Sequence, residues 1–169
     1  MESTRTLVMN PKQVSQRLNR LAWQVYENCY REEEIIVAGI AQNGYQLAQR
    51  IAKYLQEISP IKVILCEVKI TKDNPLDGKT KFNLSEAEID NKTIIVVDDV
   101  SNSGRTLMYG VKLFLEFPVK SVQTLVLVDR DHNRFPVKTN YVGLSLATTM
   151  QEHITVETTA NGDATVYLD

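Results

Sequence analysis

Apolar residues fall along this chain in two alternating rhythms. Ile35–Ile40, Ile61–Lys69, Thr93–Val97 and Val122–Val128 are short runs dominated by aliphatic residues. Ile35–Ile40, Thr93–Val97 and Val122–Val128 read as strands buried on both faces, and Ile61–Lys69 reads as a further strand. Between them the spacing turns helical. Val14, Leu18, Leu21, Ala22, Val25, Tyr26 and Cys29 follow Asn10-Pro11, an N-cap residue and a first-turn proline. Arg17 and Arg20 fall on the polar side of that helix, which reads as a solvated face. Leu47, Ala48, Ile51, Ala52 and Leu55 follow a turn at Ala41-Gln42-Asn43-Gly44, and Leu107, Val111, Leu113, Phe114 and Phe117 follow Thr106.

Arg5–Met9 and Tyr141–Leu144 predict short strands. Ile154–Glu157 and Ala164–Leu168 flank Asn161-Gly162, a hairpin signal. Strand–helix alternation closed by an antiparallel tail predicts an α/β domain. A length of 169 residues suits a single domain over 1–169. Thr71–Lys92 lacks a regular pattern and holds Asn74-Pro75, Asp77-Gly78 and four lysines. Irregular segments this long in compact domains carry function or disorder.

The candidate chemistry lies where the most apolar strand ends. Val97 is followed by Asp98-Asp99, then Val100-Ser101-Asn102-Ser103-Gly104-Arg105-Thr106, and then by helical spacing. A strand opening through small residues into a helix builds an anion site, because free N–H groups, the helix dipole and hydroxyls converge there. The adjacent acids call for a metal or for hydroxyls. A phosphorylated sugar satisfies both halves.

Charge and cysteine usage narrow the class. The net charge of −2 gives no global attraction to nucleic acid or acidic membranes. Cys29 and Cys66 lie far apart, match no metal spacing and read as buried thiols of a reducing compartment. Met1–Asn10 has no apolar targeting core and no run approaches a membrane span, so a cytoplasmic protein is expected. His132 and His153 stand alone in their contexts and are read as structural or surface residues, not bases.

The 93–106 stretch resembles the phosphoribosyl-diphosphate (PRPP) signature of the type I phosphoribosyltransferases: apolar strand, two acids, short turn, then Ser103-Gly104-Arg105-Thr106. That resemblance implies an open, mainly parallel sheet with helices on both faces, a hood loop at about 71–92 and a C-terminal antiparallel hairpin. It implies that Asp98 and Asp99 bind the ribose hydroxyls and that Ser101, Asn102, Ser103, Gly104, Arg105 and Thr106 take the 5′-phosphate. Asp98, Asp99 and Arg105 are the catalytic candidates. Ala41, Gln42, Asn43 and Gly44 stand at the pyrophosphate loop, where many members carry a basic residue that is missing here. Lys69, Lys72, Lys79 and Lys81 are hood candidates for the diphosphate. Mg²⁺ is expected to enter with PRPP, with no direct protein ligand.

A second stretch is more specific. Leu125–Gly143, with Asp129-Arg130-Asp131-His132 and Tyr141-Val142-Gly143, is similar to the bifunctional pyrimidine-operon regulator and uracil phosphoribosyltransferase family. Asn19-Arg20-Leu21-Ala22 and Ala38-Gly39-Ile40 share that likeness, which covers nearly the whole chain apart from the hood. Those relatives often have Gly at Asp131 and Arg at Asn133. The resemblance implies uracil salvage to UMP, with the base near Asp129, Arg130 and Val142. It also implies a homo-dimer or homo-tetramer. A purine base remains an alternative, although Asn102 stands where some purine-using relatives carry Asp. A regulator that binds an mRNA leader is the other. That role needs Arg5, Lys12, Arg17, Arg20, Arg130, His132, Arg134 and Lys138 to share a basic face, and the acidic pI of about 5.8 counts against it.

Overall fold

The computed structural model describes residues 5–71, 74, 76 and 81–169, with Lys81 through its backbone alone. Six strands form the main sheet in the order β4-β3-β2-β5-β6-β7. They are β2 (Glu34–Ile40), β3 (Lys62–Lys69), β4 (Lys81–Phe82), β5 (Thr93–Ser101), β6 (Ser121–Asp129) and β7 (Tyr141–Ser145). Five run parallel, and the short β4 lies antiparallel on β3. Three more strands, β1 (Thr6–Met9), β8 (Ile154–Thr158) and β9 (Ala164–Leu168), make a small antiparallel sheet in the order β1-β9-β8. The expected C-terminal hairpin is therefore present, and the first strand of the chain joins it.

β5 shows why the sheet needs cover on both sides. Ile95 and Val97 pack into one apolar cluster with α1 (Pro11–Cys29) and α2 (Ala41–Ile58). Ile94 and Val96 point the other way, into a cluster with Leu107 and Phe114 of α4 (Arg105–Leu115) and Ile89 of α3 (Glu86–Ile89). All four β5 side chains are fully buried, and each contributes about 1.5–3 kcal/mol of transfer free energy. Helix α1 starts as its sequence predicts. The Gln13 N–H donates to Asn10 Oδ1 and the Asn10 N–H to Gln13 Oε1, both at 2.9 Å, with Pro11 in the first turn.

Three expectations need correction. Arg17 and Arg20 are not a plain solvated face. Arg17 Nη1 donates to the Gly143 carbonyl at 3.2 Å, and Arg20 Nη2 to the Val142 and Gly143 carbonyls at 2.9 and 2.8 Å. The two guanidinium groups thereby tie α1 to the backbone of β7, an edge strand. Segment 71–92 is not irregular throughout. Ser85 and Glu88 form a reciprocal capping box that starts α3, and Phe82 packs against Phe114 and Phe117. Residues 41–44, read as a turn, are the first turn of α2.

Candidate functional site

β5 continues past its apolar run, so Asp98, Asp99, Val100 and Ser101 are still strand residues. Asp98 and Asp99 are buried, and each folds one carboxylate oxygen onto the next backbone amide. The Asp99 N–H donates to Asp98 Oδ1 at 2.9 Å, and the Val100 N–H to Asp99 Oδ1 at 2.8 Å. The Asn43 Nδ2 amide donates to Asp99 Oδ2 at 3.0 Å and to the Val156 carbonyl at 3.1 Å. Asn43, in the first turn of α2, thereby ties one acid to β8.

After Ser101 the chain turns through Asn102, Ser103 and Gly104 into α4. Gly104 has φ +82°, in the left-handed region. A Cβ there would lie 2.6 Å from Val137 Cγ1, so segment 133–137 closes tightly over the turn. That segment is pinned by its own backbone, since the N–H groups of Arg134 and Phe135 both donate to the Ser103 carbonyl, at 2.8 and 3.1 Å. The Ser103 hydroxyl accepts the Arg105 N–H at 3.3 Å. The Ser101 hydroxyl is buried without a hydrogen-bond partner among the described residues.

Asp98, Asp99, Ser101, Asn102, Ser103, Gly104, Arg105 and Thr106 all line one cavity of about 360 Å³, joined by Arg134 and Ile154. That volume suits a small phosphorylated ligand. Helix-start amides, hydroxyls and two guanidinium groups can hold an oxyanion, and the acids can accept hydroxyl protons. Arg134 and Ile154 were not among the site residues expected from sequence. Arg134 stands in a polar run whose fold over Gly104 has no local signature. Ile154 arrives from a separate sheet.

The remaining expected residues are spread around this cavity. Lys69 ends β3 and lines a neighbouring space with Ala41 and Gln42. Lys72 and Lys79 lie outside the described residues, as does the Lys81 side chain. Ala41 has φ +55°, a conformation that costs a non-glycine residue about 1–2 kcal/mol. Gly44 is buried against β5, where a Cβ would meet the Val97 carbonyl oxygen at 2.7 Å.

Asp129 and Arg130 turn inward as braces. Asp129 accepts from the Asp131 N–H at 2.9 Å and from the Thr139 hydroxyl at 2.7 Å. Arg130 is buried and donates to Asn102 Oδ1 at 2.8 Å, Thr148 Oγ1 at 2.8 Å and the Glu152 carbonyl at 2.6 Å. Asp131 has φ +55°, which accounts for glycine at that position in the resembled family. Val142 sits level with Val126 inside the sheet and packs into the α4-side cluster, away from the strand ends. Of the residues proposed for a basic face, Arg17, Arg20 and Arg130 hold internal acceptors, and Arg5 pairs with Glu157 and Asp169 at 2.6 and 2.9 Å.

Comparison with known proteins fits this geometry. The family model for the phosphoribosyl transferase domain matches residues 8–160. The bifunctional protein PyrR of Bacillus pumilus is 30% identical over 162 residues, 90% of each chain. That of Clostridium novyi is 30% identical over 159 residues, 90% of this chain and 89% of its own. The hypoxanthine phosphoribosyltransferase of Trypanosoma cruzi superposes with a TM-score of 0.74 at 13% identity, covering 95% of both chains. A hypoxanthine-guanine phosphoribosyltransferase of Bacillus anthracis gives 0.68 at 22% identity, over 83% of this chain and 82% of its own. These two structures speak for the fold alone. Similarity at this level along nine-tenths of the sequence makes the chain a member of the phosphoribosyltransferase family, in the company of the bifunctional PyrR proteins.

Proposed function

We propose that this phosphoribosyltransferase transfers ribose 5-phosphate from PRPP to uracil, giving UMP and pyrophosphate. The observation that carries the reading is the single cavity in which Asp98 and Asp99 face the amide- and hydroxyl-rich start of α4. In this reading the 5′-phosphate sits on the Ser101–Thr106 turn, where the Ser101 hydroxyl gains an acceptor. The ribose hydroxyls sit on Asp98 and Asp99. Arg105 and Arg134 stand at the same cavity and offset phosphate charge.

Breaking the C1–O bond builds positive charge on the ribose and negative charge on the leaving pyrophosphate. The two carboxylates stabilise the ribose side, and their backbone hydrogen bonds fix them before substrate arrives. Asn43 holds Asp99 in place from the pyrophosphate side. Mg²⁺ entering with PRPP would sit near the Asp98 and Asp99 carboxylates beside the oxyanion cradle, and it would supply charge neutralisation at the leaving group. Asp129 and Arg130 shape the base-side wall through their braces. Asn102 is held by Arg130 and cannot serve as a base toward a purine ring nitrogen, which favours uracil.

The deciding experiment incubates the protein with PRPP, Mg²⁺ and a panel of bases and measures pyrophosphate release. Release with uracil is expected. Silence with every pyrimidine and purine would end the reading. The relatives are named bifunctional, and the resemblance of the 125–143 segment makes a pyrimidine leader RNA the second partner to test. With Arg5, Arg17, Arg20 and Arg130 paired within the chain, His132 against the Thr148 carbonyl and Arg134 at the cavity, RNA affinity rests on Lys12 and Lys138. A gel shift at low salt tests it, with loss as salt rises. Sedimentation reads the dimer or tetramer that the resemblance implies.

A further inference from the structure

Segment 130–135 holds the turn between β5 and α4 by the turn's acceptors. The Arg130 N–H donates to the Ser101 carbonyl at 3.0 Å, and the Arg134 and Phe135 N–H groups donate to the Ser103 carbonyl at 2.8 and 3.1 Å. Across a trans peptide the carbonyl and the following N–H point to opposite sides. The Asn102 and Gly104 N–H groups therefore face away from the segment. The Arg130 side chain sorts the Asn102 side chain in the same way. Its Nη1 donates to Asn102 Oδ1 at 2.8 Å. A guanidinium has donors and no acceptor, so the Asn102 amide can meet it only through oxygen. The Nδ2 donor is turned to the other side, and Asn102 is exposed in the cavity wall.

Arg130 is itself fixed from behind. It is only 7% exposed, and its remaining donors reach Thr148 Oγ1 at 2.8 Å and the Thr149 and Glu152 carbonyls at 3.2 and 2.6 Å. All of these acceptors are neutral. The guanidinium charge is thus left to act on an anion at the turn, with little water to screen it. Thr148–Glu152 fixes the guanidinium, and the guanidinium fixes Asn102.

We propose that Arg130 is a positioning residue that acts through Asn102. It locks the Asn102 amide as a hydrogen-bond donor to an unprotonated oxygen of the substrate, on the phosphate or on a base carbonyl. The same lock disfavours a ligand that must donate a proton at this spot. The orientation of Asn102 stands on the hydrogen bonds above, and the identity of the ligand rests on the transferase reading.

Calorimetry with ribose 5-phosphate and with UMP reads the donor without turnover. Asn102→Ala and Arg130→Met should each weaken UMP binding by about tenfold to a hundredfold. The double variant should bind no worse than the weaker of the two, and losses that multiply overturn the positioning role. Asn102→Asp should bind more weakly than Asn102→Ala, because the new carboxylate pairs with Arg130 and offers the ligand acceptors in place of a donor. Tighter binding than in Asn102→Ala overturns the proposal. An equal loss for ribose 5-phosphate and UMP assigns the donor to the phosphate, and a loss for UMP alone assigns it to a base carbonyl. If circular dichroism shows Arg130→Met unfolded, Arg130→Lys takes its place in the same cycle. Unchanged affinity in the Asn102→Ala and Arg130 variants overturns the proposal and leaves the transferase reading standing. Weakened binding in a protein that releases no pyrophosphate with any base keeps the proposal and removes the transferase. No binding of either ligand by wild type overturns both.

Discussion

Two strand-to-helix crossings at the carboxyl ends of the neighbouring strands β2 and β5 are built from similar sequence signals and do different work. At β5–α4 the chain spends three residues, the last a left-handed glycine, before the helix starts, so amides and hydroxyls open onto a cavity. At β2–α2 there is no such turn. The helix starts directly at Ala41 with φ +55°, no side chain caps it, and Gly44 lies against β5. The first crossing is an anion cradle. The second is a brace that carries Asn43 to Asp99. What separates them is how closely the helix approaches the neighbouring strand.

The comparison can be broken first at the acids. The double variant Asp98→Asn/Asp99→Asn should lower kcat/KM by about a hundredfold to a thousandfold with little change in melting temperature. A small effect would move the reaction away from β5. The glycines come next. Gly104→Ala forces a side chain into the left-handed region at a place where Val137 stands 2.6 Å from the new Cβ. It should cost about 1–3 kcal/mol of stability and raise the KM for PRPP. Gly44→Ala drives a Cβ into the Val97 carbonyl, 2.7 Å away. It should cost about as much stability through overpacking, while PRPP binding by the folded fraction changes less. Equal losses of PRPP binding would erase the distinction between cradle and brace.

Asn43→Ala should lower kcat by about tenfold while the protein stays folded, because a hydrogen bond to a charged group is worth about 1.5–3 kcal/mol. Ala41→Gly sharpens the brace from the other direction. It relieves a left-handed alanine at the cost of added unfolded-state entropy, so it should stabilise by up to about 1 kcal/mol, read as a higher melting temperature.

A separate effect is a pH dependence of the core itself. Burial pushes the Cys66 thiol from 9.0 up to about 12, and the Tyr141 hydroxyl from 10.0 up to about 12. Between those limits the unfolded chain gives up protons that the folded chain keeps. The stability from these two groups is thus complete below pH 9 and lost as pH rises toward 12. Cys66→Ala should flatten part of that decline in urea titrations.

Much of this was legible from residues in order. The uncharged run at 93–97 announced a strand covered on both sides, Asn10-Pro11 announced the start of α1, and Asn161-Gly162 announced a hairpin whose Gly162 indeed has φ +84°. The start of α2 was hidden, because Ala41-Gln42-Asn43-Gly44 has the composition of a turn. Helix forms there because Gly44 fits under the Val97 carbonyl, a contact made across more than fifty residues. The roles of Arg17 and Arg20 were hidden for a related reason. Their partners are backbone carbonyls on β7, and main-chain acceptors leave no trace in side-chain spacing. Segment 81–89 was readable in principle, since Ser85 and Glu88 stand at capping-box spacing. In the site, eight of the nine cavity-lining residues from Asp98 to Thr106, all but Val100, were legible because they lie in one stretch. Arg134, Ile154 and the Asn43–Asp99 bond were not, because each joins segments distant in the chain.

Calorimetric titration of PRPP with Mg²⁺ tests the central claim most directly. Wild type should bind one PRPP per chain at the β5–α4 cradle, and the heat should vanish in Asp98→Asn/Asp99→Asn. No heat with wild type, or undiminished heat with the variant, would contradict it.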